Sequence, residues 1–240
     1  MLQARRLWVS IVIGIAFITL AVFDAGAFGA GEETGSVRDV SGFDSVSFGT
    51  SGEVIITQGD REALEILARE RDLPSIVTEV RGGTLYIGRE GPSFSLRHPV
   101  FRLTMKTIAA LETHSSGRIV ANHLRATSLR IQISSSGDIS IGSLEAELLE
   151  VQISSSGSFS VAGTVEQQNV RISSSGNYLA RNLASRTARV NVSSSGNATL
   201  RASDSLEANV TSSGDVRYYG NPPVVNGNVT SSGRLVRLGD

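Results

Sequence analysis

Carboxylates, histidines and serines are the side chains of this sequence that could carry chemistry, and their spacing decides which. Glu145, Glu147 and Glu150 lie close together, and Asp138 and Asp215 occupy equivalent places in a repeated pattern. Carboxylate pairs cleave glycosidic bonds when they stand roughly 5–9.5 Å apart across the sugar. Asp138 and Asp215 are separated by four repeats, about 19 Å if the repeats stack at the spacing of strands in a sheet, which is too far for one bond. The acids from 145 to 150 read as a solvated face. His98, His114 and His123 are the only histidines. Two of them fall in one repeat, but no third ligand at short spacing accompanies them as a zinc site requires. Serine is abundant, yet the G-x-S-x-G turn of an α/β hydrolase is absent. The expectation is therefore no enzyme, with no catalytic, cofactor-binding or metal-ligating residue and no cofactor.

Composition narrows the partners further. The chain has 240 residues, no cysteine and a formal charge of −1. Lack of cysteine excludes disulfides, thiolate metal sites and lipid attachment through an N-terminal cysteine. A near-neutral balance argues against nucleic acid, whose phosphates require a cationic face. With 1 Trp, 4 Tyr and 8 Phe, aromatic stacking platforms are not expected. The partner itself stays unknown at this level, with an envelope glycan or an envelope protein as the candidates.

The elements that must position these side chains begin with an address. Arg5 and Arg6 precede an uncharged, largely apolar run from Leu7 to Phe23, followed by Ala25-Gly26-Ala27. Charged start, apolar stretch and small-residue site are the parts of a signal peptide. Residues 1–27 are assigned to it, with an uncleaved membrane anchor as the alternative, and residues 28–36 to a linker. The remainder is expected to be exported to the periplasm or cell surface, touching membrane only through the N-terminal segment if that is retained.

The rest is a repeat. Ser-Ser-Gly triplets end at Gly117, Gly137, Gly157, Gly176, Gly196, Gly214 and Gly233, with spacings of 18–20 residues. Four residues before these glycines stand Ile133, Ile153, Ile172, Val192, Val210 and Val229. Six before stand Ile131, Val151, Val170, Val190, Ala208 and Gly227. Between them runs a polar column of Gln132, Gln152, Arg171, Asn191, Asn209 and Asn228. Such period-2 alternation marks a strand buried on one face. A second short strand follows each glycine, beginning with Ile119, Ile139, Phe159, Tyr178, Ala198, Val216 and Leu235 at its first apolar position. A third apolar stretch is looser (Leu124, Leu144 with Leu148, Val165, Leu183, Leu206).

Two or three strands within twenty residues cannot form a domain alone, but they can form one coil whose backbone groups pair with coils above and below. The expected fold is all-β, a right-handed parallel β-helix, with a rod of roughly 29 Å from the first corner to the last. Glycine is expected at the corners for positive φ. Ser135, Ser155, Ser174, Ser194, Ser212 and Ser231 should point into the corners beside Gly137, Gly157, Gly176, Gly196, Gly214 and Gly233. The amide column is the candidate recognition surface, unless its members simply satisfy one another between coils.

Residues 37–99 carry strand patterns at other spacings and are expected to form the N-terminal cap and first coils of the solenoid, with regular Ser-Ser-Gly coils over 100–240. The entry Val40-Ser41-Gly42-Phe43-Asp44-Ser45-Val46, the stretch Ser51-Gly52-Glu53-Val54-Ile55-Ile56-Thr57-Gln58-Gly59 and the Ser-Gly corners resemble the head GIN domain family, the putative auto-transporter adhesins. The resemblance covers about residues 37–235. It implies a β-helical fold in a protein exported from bacterial cells, often as a lipoprotein, and an adhesin-like activity. The chain departs from the lipoprotein pattern in having no cysteine.

Overall fold

The computed structural model describes residues 33–91 and 97–240, so the expected signal peptide and most of the linker lie outside the described residues. The described chain is almost entirely β, with a single short 3-10 turn at Leu73–Ser75. It forms a β-solenoid of about 6 turns.

The regular rungs follow from the alternation. Strands β9 (Arg118–Ile133) and β10 (Asp138–Ile153) run through a whole rung each, and β11 (Ser158–Ile172) follows. Later rungs split into β12 (Asn177–Leu179) with β13 (Leu183–Val192), and β14 (Asn197–Arg201) with β15 (Ser205–Val210). The last are β16 (Asp215–Tyr219), β17 (Val224–Val229) and β18 (Arg234–Gly239). All of these pair in parallel with the equivalent segment one rung away. Ile133, Ile153, Ile172, Val192, Val210 and Val229 are successive register partners, and the first five are buried.

Within β10 the buried residues are Ile139, Ile141, Leu144, Leu149, Val151 and Ile153. The alternation slips phase after Ile141 and again before Leu149. At each slip the chain changes direction, because otherwise the next apolar residue would point outward. The loose third stretch of the sequence sits between these slips, and its alignment differs from the sequence expectation. Leu144 faces Gly163 rather than Val165, which pairs with Ala146, while Leu206 stands opposite Ala188 in the column of Leu149. Leu148 points outward and is half-buried. Rung length varies in this stretch, so counting from the glycines loses register there.

One rung carries a polar residue into the core. Gln168 is fully buried in the column of Leu149 and Ala188. Its Nε2 donates to Ser185 Oγ at 2.7 Å and to the Arg201 carbonyl at 3.0 Å, and its Oε1 accepts from the Tyr178 hydroxyl at 2.8 Å. Ser185 Oγ also donates to the Arg201 carbonyl, at 2.7 Å. The following rung is shorter, with partners 18 residues apart, and the network satisfies a carbonyl at the place where it shortens. Burial pushes the Tyr178 hydroxyl pKa up, keeping it a neutral donor.

The N-terminal rungs do not stack in sequence order. Strands β2 (Ser45–Phe48) and β3 (Glu53–Gln58) flank the Thr-Ser-Gly corner that ends at Gly52. They lie between two other pairs. On one side are β6 (Thr84–Arg89) and β7 (Val100–Met105); on the other are β8 (Ala110–Thr113) and the start of β9. The chain thus makes its second rung first, returns to build the outer one, then passes over both to begin the regular stack. Outside β7 lie β4 (Ala63–Arg69) and then β1 (Glu33–Arg38), and outside β6 lies β5 (Ile76–Arg81), all antiparallel. Antiparallel strands join through tight turns, and the β5–β6 hairpin turns at Gly82 and Gly83 with φ of 55° and 78°. Those values suit a two-residue hairpin that most residues could not adopt.

The opposite end has no such cover among the described residues. Each of β17 and β18 pairs on one side only. Val224, Val225, Val229, Val236 and Leu238 are exposed there.

Candidate functional site

The corners hold successive rungs in close contact and so fix the spacing of what the rungs display. Gly137, Gly157, Gly176, Gly196 and Gly214 are buried, but none has positive φ. The sequence-based reason for these glycines is therefore corrected. A Cβ on Gly137 would stand 2.5 Å from the Ser115 carbonyl oxygen and 2.6 Å from that of Gly117, and one on Gly233 would stand 2.5 Å from Val210 Cγ1. The other corners are equally closed. Glycine is needed because the rung beneath comes within contact of its Cα. Among the corner glycines only Gly52 combines the close approach with positive φ, 118°; away from the corners Gly163 and Gly220 do the same.

Ser155, Ser174, Ser194 and Ser212 are half-buried beside these glycines, as is Ser135. Ser135 Oγ donates to the Ser115 carbonyl of the neighbouring rung, and Ser115 Oγ donates in the same way to the Thr50 carbonyl. Ser231, in the last corner, is exposed and has φ of 72°. Ser134, Ser154 and Ser193 donate at 3.4–3.5 Å to carbonyls one rung away.

The face leading into the corners displays two outward columns. Gln132, Gln152, Arg171, Asn191, Asn209 and Asn228 are successive register partners, as are Arg130, Glu150, Asn169, Arg189, Glu207 and Asn226. A shallow groove of about 320 Å³ crosses four rungs of this face, from Arg130 and Gln132 to Arg189 and Asn191. Amide self-satisfaction is local. Asn209 Nδ2 donates to Asn191 Oδ1 at 3.1 Å. A second amide pair, Asn197 to Asn177 at 3.3 Å, lies in the column just after the corner glycines.

Of the acids singled out by spacing, Glu147 is exposed on the rung surface, and the other four stand beside arginines. Glu145 pairs with Arg125 at 2.8 Å and Glu150 with Arg130 at 3.1 Å. Asp138 lies 3.8 Å from Arg118 and also accepts from the Ser158 backbone N–H at 3.1 Å. Asp215 is largely buried and takes Arg217 at 2.7 Å and Arg234 at 2.6 Å. The Arg234 hydrogen bonds hold its carboxyl below the usual aspartate range against the opposing effect of burial, and the charges of Arg234 and Arg217 add to the lowering. His114 bonds Ser134 Oγ at 2.8 Å and lies 3.4 Å from Glu112. Among the described residues no three His, Asp or Glu side chains converge on a cation site. No helix among them is long and apolar enough to cross a membrane.

The amide column expected from the sequence stacks in register, whereas the outer Arg/Glu/Asn column and the rung-to-rung pairing of its charges were not among the sequence-based expectations. Its signal was available: Arg130, Glu150, Asn169, Arg189, Glu207 and Asn226 stand seven residues before the corner glycines.

Fold and face together define a parallel β-solenoid that presents polar side chains in register on a rigid surface. The chain belongs to the family described as putative auto-transporter adhesin, head GIN domain, matched over residues 42–222. Among solved structures it is similar to a putative adhesin from Bacteroides fragilis, with 22% identity and a TM-score of 0.83 over 86% of this chain and 97% of that one. A putative lipid binding protein from Parabacteroides distasonis is 23% identical, with a TM-score of 0.73 over 87% and 97% of the two chains. A putative adhesin from Parabacteroides distasonis is 23% identical, with a TM-score of 0.70 over 88% and 98%. At these identities the likeness concerns the fold. No curated protein matches the chain significantly.

Proposed function

We propose that the chain is an exported, non-catalytic interaction module of a bacterial cell envelope, adhesin-like in action, with the amide-lined face as its recognition surface. The observation that carries this reading is the geometry of that face. Rungs at the sheet spacing hold polar side chains in fixed columns, so a ligand meets a surface whose ordering cost has already been met. Four of the five acids that could have served glycan cleavage, Asp138, Glu145, Glu150 and Asp215, stand beside arginines, which leaves Glu147 without a free carboxylate partner among them and supports binding over hydrolysis. Membership in an adhesin family supports the same direction, and the N-terminal sequence supports export.

The test is binding of the purified full chain to whole bacterial cells and to a glycan array. Saturable cell binding that free sugar competes away is the expected result. Loss of cell binding together with turnover of any glycan substrate would overturn it. A second reading, a structural or sensory component that docks another envelope protein, is favoured by the apolar, singly paired strands β17 and β18. Under that reading sugars compete nothing, and substitution of Val225 and Leu238 by charged residues abolishes attachment to cells.

A further inference from the structure

On the candidate face, charge is paired except at one point. Arg130 is tied to Glu150 at 3.1 Å, and Arg189 to Glu207 at 2.9 Å. Arg171 lies in the groove between Gln152 and Asn191 in its own column, beside Asn169 on its own strand. It is exposed and has no hydrogen-bond or ion-pair partner among the described residues. The groove lining therefore carries three guanidinium groups against one carboxylate, and the central guanidinium is free.

We propose that this groove binds an acidic oligosaccharide, with Arg171 taking a sugar carboxylate and the amides of Gln152, Asn169 and Asn191 taking hydroxyls. The inference deepens the interaction reading above and rests on it. Several features select this ligand class. A guanidinium matches a carboxylate with two parallel N–H donors and is weakly hydrated for a cation, so it is suited to oxyanion recognition. Gln152 supplies a donor and an acceptor, while Asn169 and Asn191, whose Oδ1 atoms already accept from Gln167 and Asn209, turn their Nδ2 donors to a row of hydroxyls. Four rungs span roughly 14 Å along the solenoid axis, room for a short oligomer with one sugar unit near each rung. No aromatic ring lines the groove, so it offers no stacking surface for a neutral sugar, and charge must supply the selectivity. A peptide is a poor fit. The backbone groups of these strands are already paired to rungs on both sides, leaving no edge for strand addition. The outward residues of the groove are polar throughout, leaving no apolar anchor of the kind that dominates protein interfaces.

The experiment is calorimetric titration of the full chain with galacturonate trimer, neutral galactose trimer of the same length, monomeric galacturonate and inorganic phosphate. Arg171→Gln is compared with Arg61→Gln, a surface arginine outside the groove. The expected result is saturable binding of the acidic trimer, weakened by added salt and reduced about tenfold or more by Arg171→Gln, with Arg61→Gln unchanged. Equal binding of the neutral trimer, equal loss in both variants, or phosphate and monomer binding as tightly as the trimer would each overturn it. Failure of the acidic trimer while the chain still attaches to cells refutes this ligand but leaves the interaction reading standing. Failure of both removes both.

Discussion

A glycine can be required by what lies beneath it as much as by its own torsion angles. At Gly157 the carbonyl of Gly137, the Ser135 carbonyl and the Ile133 side chain occupy the space a Cβ would need. Adding one methyl there must push two rungs apart or bend the ladder, and both break hydrogen bonds. Gly157→Ala is expected to cost about 1–3 kcal/mol or more, in the range of overpacked cores. Ser156→Ala, at the exposed place beside it, should stay within about 0.5 kcal/mol. Chemical denaturation of both variants checks the contrast, and equal effects would mean that the corner has room. Gln168 teaches a related lesson. A polar residue in an apolar column is tolerated because Tyr178, Ser185 and the Arg201 carbonyl complete its hydrogen bonds.

At the scale of the element, a rung is held by its neighbours through three devices: backbone ladders, inward apolar columns and outward charge pairs. Most of the pairs are exposed and contribute little each. Asp215 is different, because it is largely buried and links β16 to β18 through Arg234. Its folded pKa lies below the ordinary value, so its stabilisation is complete above the unfolded aspartate pKa and fades as pH falls through the folded one. Asp215→Asn should therefore lower the Tm near neutral pH, and its melting curve should converge with that of the wild type in strong acid. Thermal melts at the two conditions decide this; a difference that persists unchanged in acid would assign the effect to packing. The same linkage predicts that the last strand, β18, loosens first on acidification.

For the whole molecule, contacts run almost entirely between adjacent rungs, so stability is close to a sum of nearest-neighbour terms. Rungs with neighbours on both sides should open least. Hydrogen exchange is expected to be slowest in β9, β10 and β11 and fastest in β17 and β18, whose outer edges pair with nothing among the described residues. The N-terminal end, closed by antiparallel β1, β4 and β5, should exchange more slowly than the C-terminal end. Uniform protection along the axis would show instead that the solenoid opens as a single cooperative unit.

Repetition is what made this fold readable in one dimension. The columns at Ile133, Ile153 and Ile172 and the amides at Gln132 and Gln152 are set by alternation within a segment and by equal spacing between segments, both visible in the order of residues. Where rung length changes, as around Leu144, Gly163 and Leu206, the column count slipped. The insertion of residues 45–58 between two later rungs was also beyond reach, because the partner of a strand edge is settled by which segments meet in space. So were the closed corner at Gly157 and the partners of each arginine. A side chain's type limits what it can bond, but only the stacking of distant segments leaves Glu150 satisfied by Arg130 and Arg171 with no partner beside it.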